Sequence, residues 1–359
     1  MAITVMHCPE EHRKSLPEWT QALGFGRLFS DHMFLMEYRD GTWHNPRVVP
    51  YGPLQLDPAA MCLHYGQEIF EGMKVYLRAD GKVLGFRSRD NFARMNRSAK
   101  RLVMPEFDVE LAYEGLCELV KADRRWIPPK YGYALYIRPT MIATDAALGV
   151  RPSNEYLFFM IASPVASYYP QENDSLNAVK IYVSDKYFRA VRGGTGEAKC
   201  AGNYAASLAS QWEAKKAGYA QVLWLDALER RNVEEVGTMN IFFVQNGALV
   251  TSPLNGSILP GITRDSVIRL ARHEGLTVEE RPVSIAEVIS GVVSGSISEV
   301  FGTGTAAVIS PVSHIAFCKT EHQVGDGQAG PVARKMYTDL LGIQYGKRED
   351  PFGWITIFD

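Results

Sequence analysis

The chain has 359 residues, enough for about two domains and too many for a small disulfide-stapled fold. Its 38 Lys and Arg residues against 40 Asp and Glu residues give a formal net charge of −2, so composition gives no electrostatic reason to expect nucleic-acid binding. With 46% hydrophobic and 22% charged residues, the sequence predicts a folded chain with a large core.

The cysteines, the N-terminal segment and the longest uncharged segment all favour a cytoplasmic protein. The five cysteines include no C-x-x-C pair, so the sequence indicates neither a disulfide framework nor a metal site. Residues 1–14 have no basic start followed by an apolar run, which predicts the absence of a signal peptide. Residues 236–263 carry no charge, but Asn and Pro residues divide them into pieces too short to span a membrane.

The first half of the chain is typical of strands joined by tight turns. Asp40-Gly41 and Asp80-Gly81 predict two-residue hairpins, in which both central residues need positive φ. Strands are predicted over 34–38, 74–77, 83–86, 134–138 and 156–163.

Two helices are predicted among these strands. Apolar residues from Phe92 to Leu102 recur at helical spacing, with Asp90 as the expected N-cap. A second helix is predicted over 109–122. The combination indicates an α+β domain with an antiparallel sheet.

The polar segment 170–178 is the predicted linker between two domains. It separates a small first domain, 1–169, from a large second domain, 179–359. In the second domain, strands are predicted over 179–183, 221–226, 241–244 and 248–251, and helices over 207–216 and 263–273. Asn246-Gly247 is expected to close a hairpin.

Lys199 lies in a glycine-rich segment, 193–204, before a predicted helix. Small neighbours allow close backbone approach, and a confined lysine can lose its proton and attack a carbonyl carbon. With an aldehyde cofactor it would form a Schiff base. A solvated surface lysine is the alternative interpretation.

Glu235 comes just before a strongly apolar strand, so its carboxylate is predicted to enter the interior. A buried carboxylate needs a partner. One candidate is the protonated pyridine nitrogen of pyridoxal phosphate, and the other is an arginine paired with a strand-end carboxylate.

Three features are candidates for holding a phosphate group. Pro260-Gly261 opens a predicted helix and fits an anion site or a plain helix start equally well. Phe301–Ala306 fits a glycine and hydroxyl cradle or a tight turn, and it lacks the further glycine of a dinucleotide site. Arg94, Arg97 and Arg101 share one helix face. Arg94, among apolar residues, is the predicted phosphate ligand, and the other two are predicted to face solvent.

In their joint order, these segments resemble the branched-chain amino acid aminotransferases of the pyridoxal-phosphate fold type IV group. The resemblance runs through nearly the whole chain. It rests on Phe29-Ser30-Asp31-His32-Met33, Leu63-His64-Tyr65, Phe70-Glu71-Gly72-Met73-Lys74, Arg94-Met95-Asn96-Arg97-Ser98-Ala99, Tyr136-Ile137-Arg138-Pro139, Lys199–Tyr204, Glu235–Phe242, Leu259-Pro260-Gly261 and Phe301–Ala306.

The resemblance implies a two-domain α+β fold. Each domain would be a mainly antiparallel sheet or barrel with packed helices, and pyridoxal 5'-phosphate would lie at the domain interface. It also implies a cytoplasmic homodimer with small-molecule substrates. Its reaction would be the reversible ping-pong transamination of L-leucine, L-isoleucine and L-valine with 2-oxoglutarate, giving branched-chain 2-oxo acids and L-glutamate.

The resemblance further implies a role for each matching residue. Lys199 resembles the Schiff-base lysine, Glu235 the partner of the pyridine nitrogen, and Tyr204 the donor to the cofactor's ring oxygen. The other implied cofactor contacts are Arg94, Thr238, Ile262, Thr263 and Thr305. The implied substrate pocket consists of Phe25, Tyr65, Phe70, Tyr136, Thr238 and Ala306, with Arg138 for the second carboxylate of glutamate and with Tyr168 and Val150 from loops of the partner subunit.

The sequence departs from the family at one place. Some relatives carry C-x-x-C just after Gly-Thr-Ala, but Ala307 and Ser310 stand there in this chain, which excludes a thiol switch at that place.

D-amino acid aminotransferases and aminodeoxychorismate lyases share the Lys, Glu and phosphate layout, and the match from Phe25 to Arg138 favours the branched-chain group. A non-catalytic metabolite-binding protein is the third alternative.

Overall fold

The computed structural model describes residues 1–19, 23–166 and 176–358. Its contacts divide the chain into two compact units. The first comprises 1–168, 198–201 and 342–359, and the second 169–197 and 202–341. Tyr168 and residues 170–175 of the predicted linker lie outside the described residues.

The described elements follow one another along the chain as strands and helices of ordinary length. The strands are β1 (Thr4–Val5), β2 (His32–Arg39), β3 (Thr42–Pro50), β4 (Glu68–Phe70), β5 (Met73–Leu77), β6 (Val83–Phe86), β7 (Ala134–Ala143), β8 (Tyr156–Val165), β9 (Val179–Val183), β10 (Gln221–Leu225), β11 (Val233–Val236), β12 (Met239–Gln245), β13 (Ala248–Thr251), β14 (Val278–Glu280), β15 (Ile297–Gly304), β16 (Val308–Phe317), β17 (Thr320–Gln323) and β18 (Ile355–Phe358). The helices are α1 (Met61–Tyr65), α2 (Ser88–Arg101), α3 (Val109–Ala122), α4 (Ala201–Lys216), α5 (Ile262–His273), α6 (Ile285–Ser294) and α7 (Pro331–Gln344), with 3₁₀ turns at Glu10–His12 and Arg124–Trp126.

The first unit is built on a sheet whose strand order is β1-β3-β2-β8-β7-β5-β6-β18, with β4 beside β7. Only β1 and β3 pair in parallel among its described strands. Phe34 and Met36, two residues apart on β2, share the buried face with residues of α2 and α3. Gly115 allows α3 to approach, since a Cβ there would lie 2.5 Å from the Phe34 ring.

Two segments from later in the chain group with this unit. The strand β18 pairs with β6 in register from Ile355–Phe86 to Phe358–Val83. Residues 198–201 also belong to it, because Cys200 bridges to Ile69. The contacts therefore differ from the single contiguous second domain, 179–359, that the sequence predicts.

The second unit contains a closed sheet. Its strand order is β11-β10-β9-β16-β15-β12-β13-β14, with β17 beside β16, and β11 pairs with β12 as well as with β10. Most pairs are antiparallel, whereas β9 pairs in parallel with β10 and β16, and β13 with β14. Apolar side chains from β9 to β16 and from α6 form its core. The predicted α+β class with mainly antiparallel sheets is confirmed.

Local turn chemistry agrees with the sequence in some places and not in others. Asp40-Gly41 and Asn246-Gly247 both have two positive φ angles, as predicted. At Asp80-Gly81 only Gly81 has positive φ, and the loop between β5 and β6 spans 78–82, so the two-residue hairpin was wrong.

Two predicted helix starts were also wrong. The helix α2 begins at Ser88 with Arg87 as its N-cap, and Asp90 in the first turn accepts a hydrogen bond from Arg87 Nε at 2.6 Å. The helix α4 begins at Ala201 rather than at residue 207.

Candidate active site

Lys199 is held by the strand β4 and the helix α2 in the first unit. The N–H of Phe70 donates to the Lys199 carbonyl oxygen at 3.0 Å, and Ile69 bridges to Cys200. The N–H of Lys199 donates to Oγ of Ser98 at 2.9 Å. Its Nζ lies 4.8 Å from the centroid of the Phe70 ring, within cation–π range. The backbone is thus fixed, while the half-buried side chain faces an aromatic ring.

A buried ion pair lies in the same unit. Nε and Nη2 of Arg94 donate to the two carboxylate oxygens of Glu71 at 2.7 and 2.8 Å. Burial raises the pKa of Glu71, but the charge and hydrogen bonds of Arg94, the charge of Lys199 and the amide of Asn91 outweigh it, so the pKa falls below its ordinary value. Glu71 is therefore ionised. One edge of the Arg94 guanidinium is committed to Glu71, and the role of Arg94 toward a phosphate stays a prediction.

Arg97 and Arg101 on the same helix are exposed, as predicted. Of the three arginines on this face of α2, one is therefore buried and two are exposed to solvent.

Four predicted substrate residues are linked by direct contacts. The rings of Phe25 and Tyr136 meet edge to face with centroids 5.0 Å apart. Nη2 of Arg138 donates to the Tyr136 hydroxyl at 2.9 Å, and its guanidinium carbon lies 4.8 Å from the centroid of Phe70. Nε of Arg138 is buried and has no hydrogen-bond partner among the described residues. This group therefore presents a guanidinium N–H that an acceptor could use.

Tyr65 and Val150 lie in a more exposed part of the first unit. The Tyr65 hydroxyl donates to the carbonyl oxygen of Leu148, which ties α1 to the loop that carries Val150. Val150 is 85% exposed. Tyr168, predicted to act with Val150, lies outside the described residues.

In the second unit, both carboxylate oxygens of Glu235 have a partner. Asn240, its cross-strand neighbour on β12, donates from Nδ2 to Oε1 at 3.1 Å. Arg189 Nε forms an ion pair with Oε2. The Glu235 side chain is only 4% exposed, so the carboxylate enters the interior as predicted. The alternative interpretation, a carboxylate paired with an arginine, therefore also holds. It is compatible with a pyridine nitrogen as a further partner in the adjoining pocket.

Glu235 and Arg189 line a pocket together with Tyr204 and Thr238. Tyr204 lies in the first turn of α4, and Thr238 lies in the turn between β11 and β12, where Gly237 has a φ of 55°. The remaining lining residues are Asn203, Ser207, Gly237 and Leu259. The structure thus brings three of the predicted cofactor residues, Tyr204, Glu235 and Thr238, to one pocket.

The predicted phosphate residues of this unit lie at a helix start and a turn. Gly261, the N-cap of α5, has no side chain to accept from the N–H groups of the first turn, which contains Ile262 and Thr263. Thr305 and Ala306 lie half-buried in the turn after β15. Thr303, opposite Asn240 across β12 and β15, is buried, and its hydroxyl has no hydrogen-bond partner among the described residues.

Gly196 lets the glycine-rich segment run against the loop before α5. A Cβ at this position would lie 2.2 Å from the carbonyl oxygen of Ser257 and 2.7 Å from the Cβ of Ala190. Across the same gap, Arg189 Nη2 donates to the carbonyl oxygens of Gly196, at 3.0 Å, and Ser257.

We expect Gly196→Ala to lower the free energy of unfolding by about 1–3 kcal/mol, because the new methyl group overlaps backbone that has to move. Urea unfolding of the purified protein measures it. Gly202→Ala is the matched control, since a Cβ at Gly202 meets nothing within 4 Å and alanine favours the helix by about 1 kcal/mol. Equal unfolding midpoints for Gly196→Ala and the unsubstituted protein would contradict the prediction.

Comparison with known proteins identifies the family to which this arrangement belongs. The family described as amino-transferase class IV matches residues 68–315, and the chain belongs to it. The chain is 52% identical over 334 residues to branched-chain-amino-acid transaminase 1 of Bacillus subtilis (strain 168), with 93% of each chain covered.

Solved structures agree with this family. The branched-chain amino acid aminotransferase of Escherichia coli has a TM-score of 0.76 at 29% identity, covering 92% of this chain and 99% of that one. A second branched-chain amino acid aminotransferase, from T.th., was solved in complex with N-(5'-phosphopyridoxyl)-L-glutamate. It has a TM-score of 0.73 at 30% identity, covering 90% of this chain and 98% of that one.

Three residues of these groups, Glu71, Asn240 and Arg189, had no role in the sequence prediction, and Thr303 entered it only as part of the segment Phe301–Ala306. Glu71 lies between the apolar residues Phe70 and Met73, and an acidic residue in such a place was a usable signal. Asn240 and Thr303 become neighbours only through the β12–β15 register. Arg189 carries no local signal, because its partners lie in three separate segments of the chain.

Proposed function

We propose that the protein transfers the amino group of L-leucine, L-isoleucine or L-valine to 2-oxoglutarate, with pyridoxal 5'-phosphate as cofactor. One observation carries the proposal: Lys199 and Arg138 both contact the Phe70 ring, and Arg138 keeps a buried N–H without an acceptor among the described residues. An amine that can move a proton and a cation that can receive a carboxylate thus contact the same ring. The similarity to the B. subtilis transaminase supports the same assignment.

The residues present fit the cofactor at two points. The buried carboxylate of Glu235 shares its pocket with Tyr204, which suits a ring nitrogen and a ring oxygen. The start of α5 at Ile262 and Thr263 suits a phosphate. Arg94, Thr238 and Thr305 complete the proposed set of contacts. When bound, pyridoxal phosphate supplies an aldehyde for Lys199 and a ring that withdraws electrons from the substrate Cα.

Two kinds of substrate side chain can use one pocket. Phe25, Phe70 and Tyr136 offer aromatic surface to an aliphatic side chain, and the further proposed substrate residues are Tyr65, Thr238, Ala306, Val150 and Tyr168. The second carboxylate of glutamate would bind Arg138 through its Nε. With an aliphatic substrate, the Tyr136 hydroxyl still holds Nη2 of Arg138. The solved complex that joins a phosphopyridoxyl group to L-glutamate supports glutamate as one substrate.

Lys199 is the proposed acid–base group. Its Nζ, once free, takes the proton from the substrate Cα and returns a proton later in the half-reaction. Hydrogen bonds at Phe70 and Ser98 hold the lysine backbone, so the side chain alone has to move. The same residues then act in the opposite direction on the second substrate, which makes the cycle ping-pong.

A cytoplasmic homodimer is part of the proposal. Leu148 and Val150 are 65% and 85% exposed on a loop that Tyr65 holds in place. Apolar side chains this exposed are suited to burial at a subunit contact. Among residues 1–19, 23–166 and 176–358, no helix has the length and apolar character that crossing a membrane requires. Sedimentation of the full chain at twice the monomer mass tests the dimer.

The function itself is tested by measuring amino-group transfer from a panel of L- and D-amino acids to 2-oxoglutarate. The chain is first reconstituted with pyridoxal phosphate. We expect the three branched-chain L-amino acids to be the best donors, with L-glutamate as product. A preference for D-amino acids would favour the D-amino acid aminotransferases. A protein that takes up no cofactor, and therefore shows no visible absorbance that borohydride removes, would favour a non-catalytic binding protein.

We expect Glu235→Gln to slow the single-turnover half-reaction with L-leucine by about 10²-fold, because a neutral amide cannot stabilise a protonated ring nitrogen. Cofactor affinity should fall less, by at most about tenfold, because the phosphate contacts remain. Arg189 keeps the carbonyl oxygens of Gly196 and Ser257 as acceptors, which limits the cost to folding. Stopped-flow absorbance measures the rate, and an unchanged rate would remove Glu235 from its proposed role.

A further inference from the structure

Arg189 is a charged partner of Glu235, and its side chain is only 9% exposed. It follows β9 in the chain and lines the same pocket as Glu235 and Tyr204. Its Nε forms an ion pair with Oε2 of Glu235. Its Nη2 donates to the carbonyl oxygens of Gly196 and Ser257. One guanidinium therefore joins the carboxylate, the glycine-rich segment and the loop before α5.

The two oxygens of Glu235 are consequently different. Oε1 accepts from the neutral amide of Asn240, whereas Oε2 faces a permanent positive charge. An arginine keeps its proton at any pH a protein tolerates, so this charge does not switch off. A cation beside a carboxylate favours the ionised form and makes the carboxylate a weaker base.

We propose that Arg189 is a positioning residue for transamination, which holds Glu235 as a weakly basic carboxylate so that the shared proton stays on the cofactor's ring nitrogen. This inference rests on the proposed function. Without the arginine, Glu235 would compete better for that proton and become a neutral acid beside an unprotonated ring. Arg189 is in direct contact with the Glu235 carboxylate, whereas a ring nitrogen bound to that carboxylate would be farther from the arginine. The positive charge of Arg189 therefore acts mainly on the carboxylate.

The same geometry argues against a purely structural role. An arginine needed only to join Gly196 to Ser257 could bind the two carbonyl oxygens without facing the carboxylate. Instead its Nε also lies within ion-pair distance of Oε2 of Glu235, and Asn240 donates to the other oxygen from the neighbouring strand. Both contacts restrict how the carboxylate can turn within the pocket.

The test uses the full chain reconstituted with pyridoxal phosphate labelled with ¹⁵N in the ring, whose chemical shift reports the proton on that nitrogen. Arg189→Gln removes the charge, and Arg189→Lys keeps it while losing the forked hydrogen bonds. Arg281→Gln is the matched control, because it breaks ion pairs to Glu279 and Glu287, neither of which lines the pocket. Single-turnover rates with L-leucine are measured on the same samples.

We expect the unsubstituted protein, Arg189→Lys and Arg281→Gln to give the resonance of a protonated ring. Arg189→Gln should move the resonance toward that of neutral pyridine. It should also slow the half-reaction by roughly tenfold for each unit of change in the difference between the pKa of the ring nitrogen and the pKa of Glu235. In Arg189→Gln/Glu235→Gln the rate should be no lower than in Glu235→Gln alone, because Arg189 acts through the carboxylate.

A folded Arg189→Gln protein with the resonance of a protonated ring would overturn the inference while leaving the proposed function intact, and so would an unprotonated ring in the unsubstituted protein. If Arg189→Gln does not fold, Arg189→Met, which keeps an apolar stem and removes the charge, is measured instead: an unprotonated ring supports the inference, and a protonated ring overturns it. A chain that binds no pyridoxal phosphate before any substitution would defeat the proposed function itself.

Discussion

Lys199→Ala is expected to lower the rate of steady-state transamination by roughly 10⁴-fold, the upper range for loss of a positioned acid–base group. Alanine has no amine to bond the cofactor aldehyde or to move the Cα proton. The fold should survive, because the hydrogen bonds of residue 199 to Phe70 and Ser98 use only its backbone. A coupled assay for glutamate formation measures the loss, and circular dichroism checks the fold.

The same substitution separates catalysis from cofactor binding. Pyridoxal phosphate should still bind, now without a covalent bond, and borohydride should no longer attach it to the protein. Lys215→Ala, on the exposed end of α4, is the matched control and should leave activity unchanged. If Lys199→Ala retained more than about a hundredth of the activity, the loss would be smaller than the roughly 10²-fold that even a weak acid–base group contributes. Another group would then be doing the proton transfer.

Much of the fold was predictable because its elements carry strong local patterns. The strand 179–183, the hairpin strand 248–251 and the helix 109–122 have the predicted bounds, the last with Asp108 as a side-chain N-cap. The start of α2 was missed because Arg87 occupies a left-handed N-cap conformation that favours glycine or asparagine in sequence statistics. The return of β18 to the first sheet is a long-range pairing with no signal in a local window.

The candidate site shows the same division between local and distant information. Lys199 and Glu235 stand out because their residue type conflicts with their neighbours, glycine in one case and an apolar strand in the other. The partners that tune them do not stand out. Glu71 meets Arg94 from another element, and Arg189 reaches Glu235 across 46 positions of the sequence, so only the folded chain reveals these pairs.

The pair of Glu71 and Arg94 gives the second large effect. Glu71→Gln leaves the guanidinium of Arg94 buried beside a neutral amide, and we expect a loss of about 3–5 kcal/mol in the free energy of unfolding. The native pKa of Glu71 lies below its ordinary value of 4.5, so its ionised form stabilises the fold above about pH 4.5 and less as the pH falls further. Glu71→Gln should therefore remove part of the acid sensitivity. Urea unfolding at pH 7 and at pH 4 measures both effects.

Replacing both partners decides what Arg94 does for the cofactor. Glu71→Leu/Arg94→Met leaves no buried charge at the pair, so stability should return to within about 2 kcal/mol of the unsubstituted protein. If Arg94 also binds phosphate, the restored protein should still bind pyridoxal phosphate about 10–100-fold more weakly, the cost of one lost hydrogen bond to a charged group. Normal affinity in this stable double variant would assign Arg94 to the ion pair alone. Arg89→Met/Glu110→Leu removes a bidentate but exposed pair between α2 and α3, and because solvent screens it, both stability and affinity should change by less than about 1 kcal/mol.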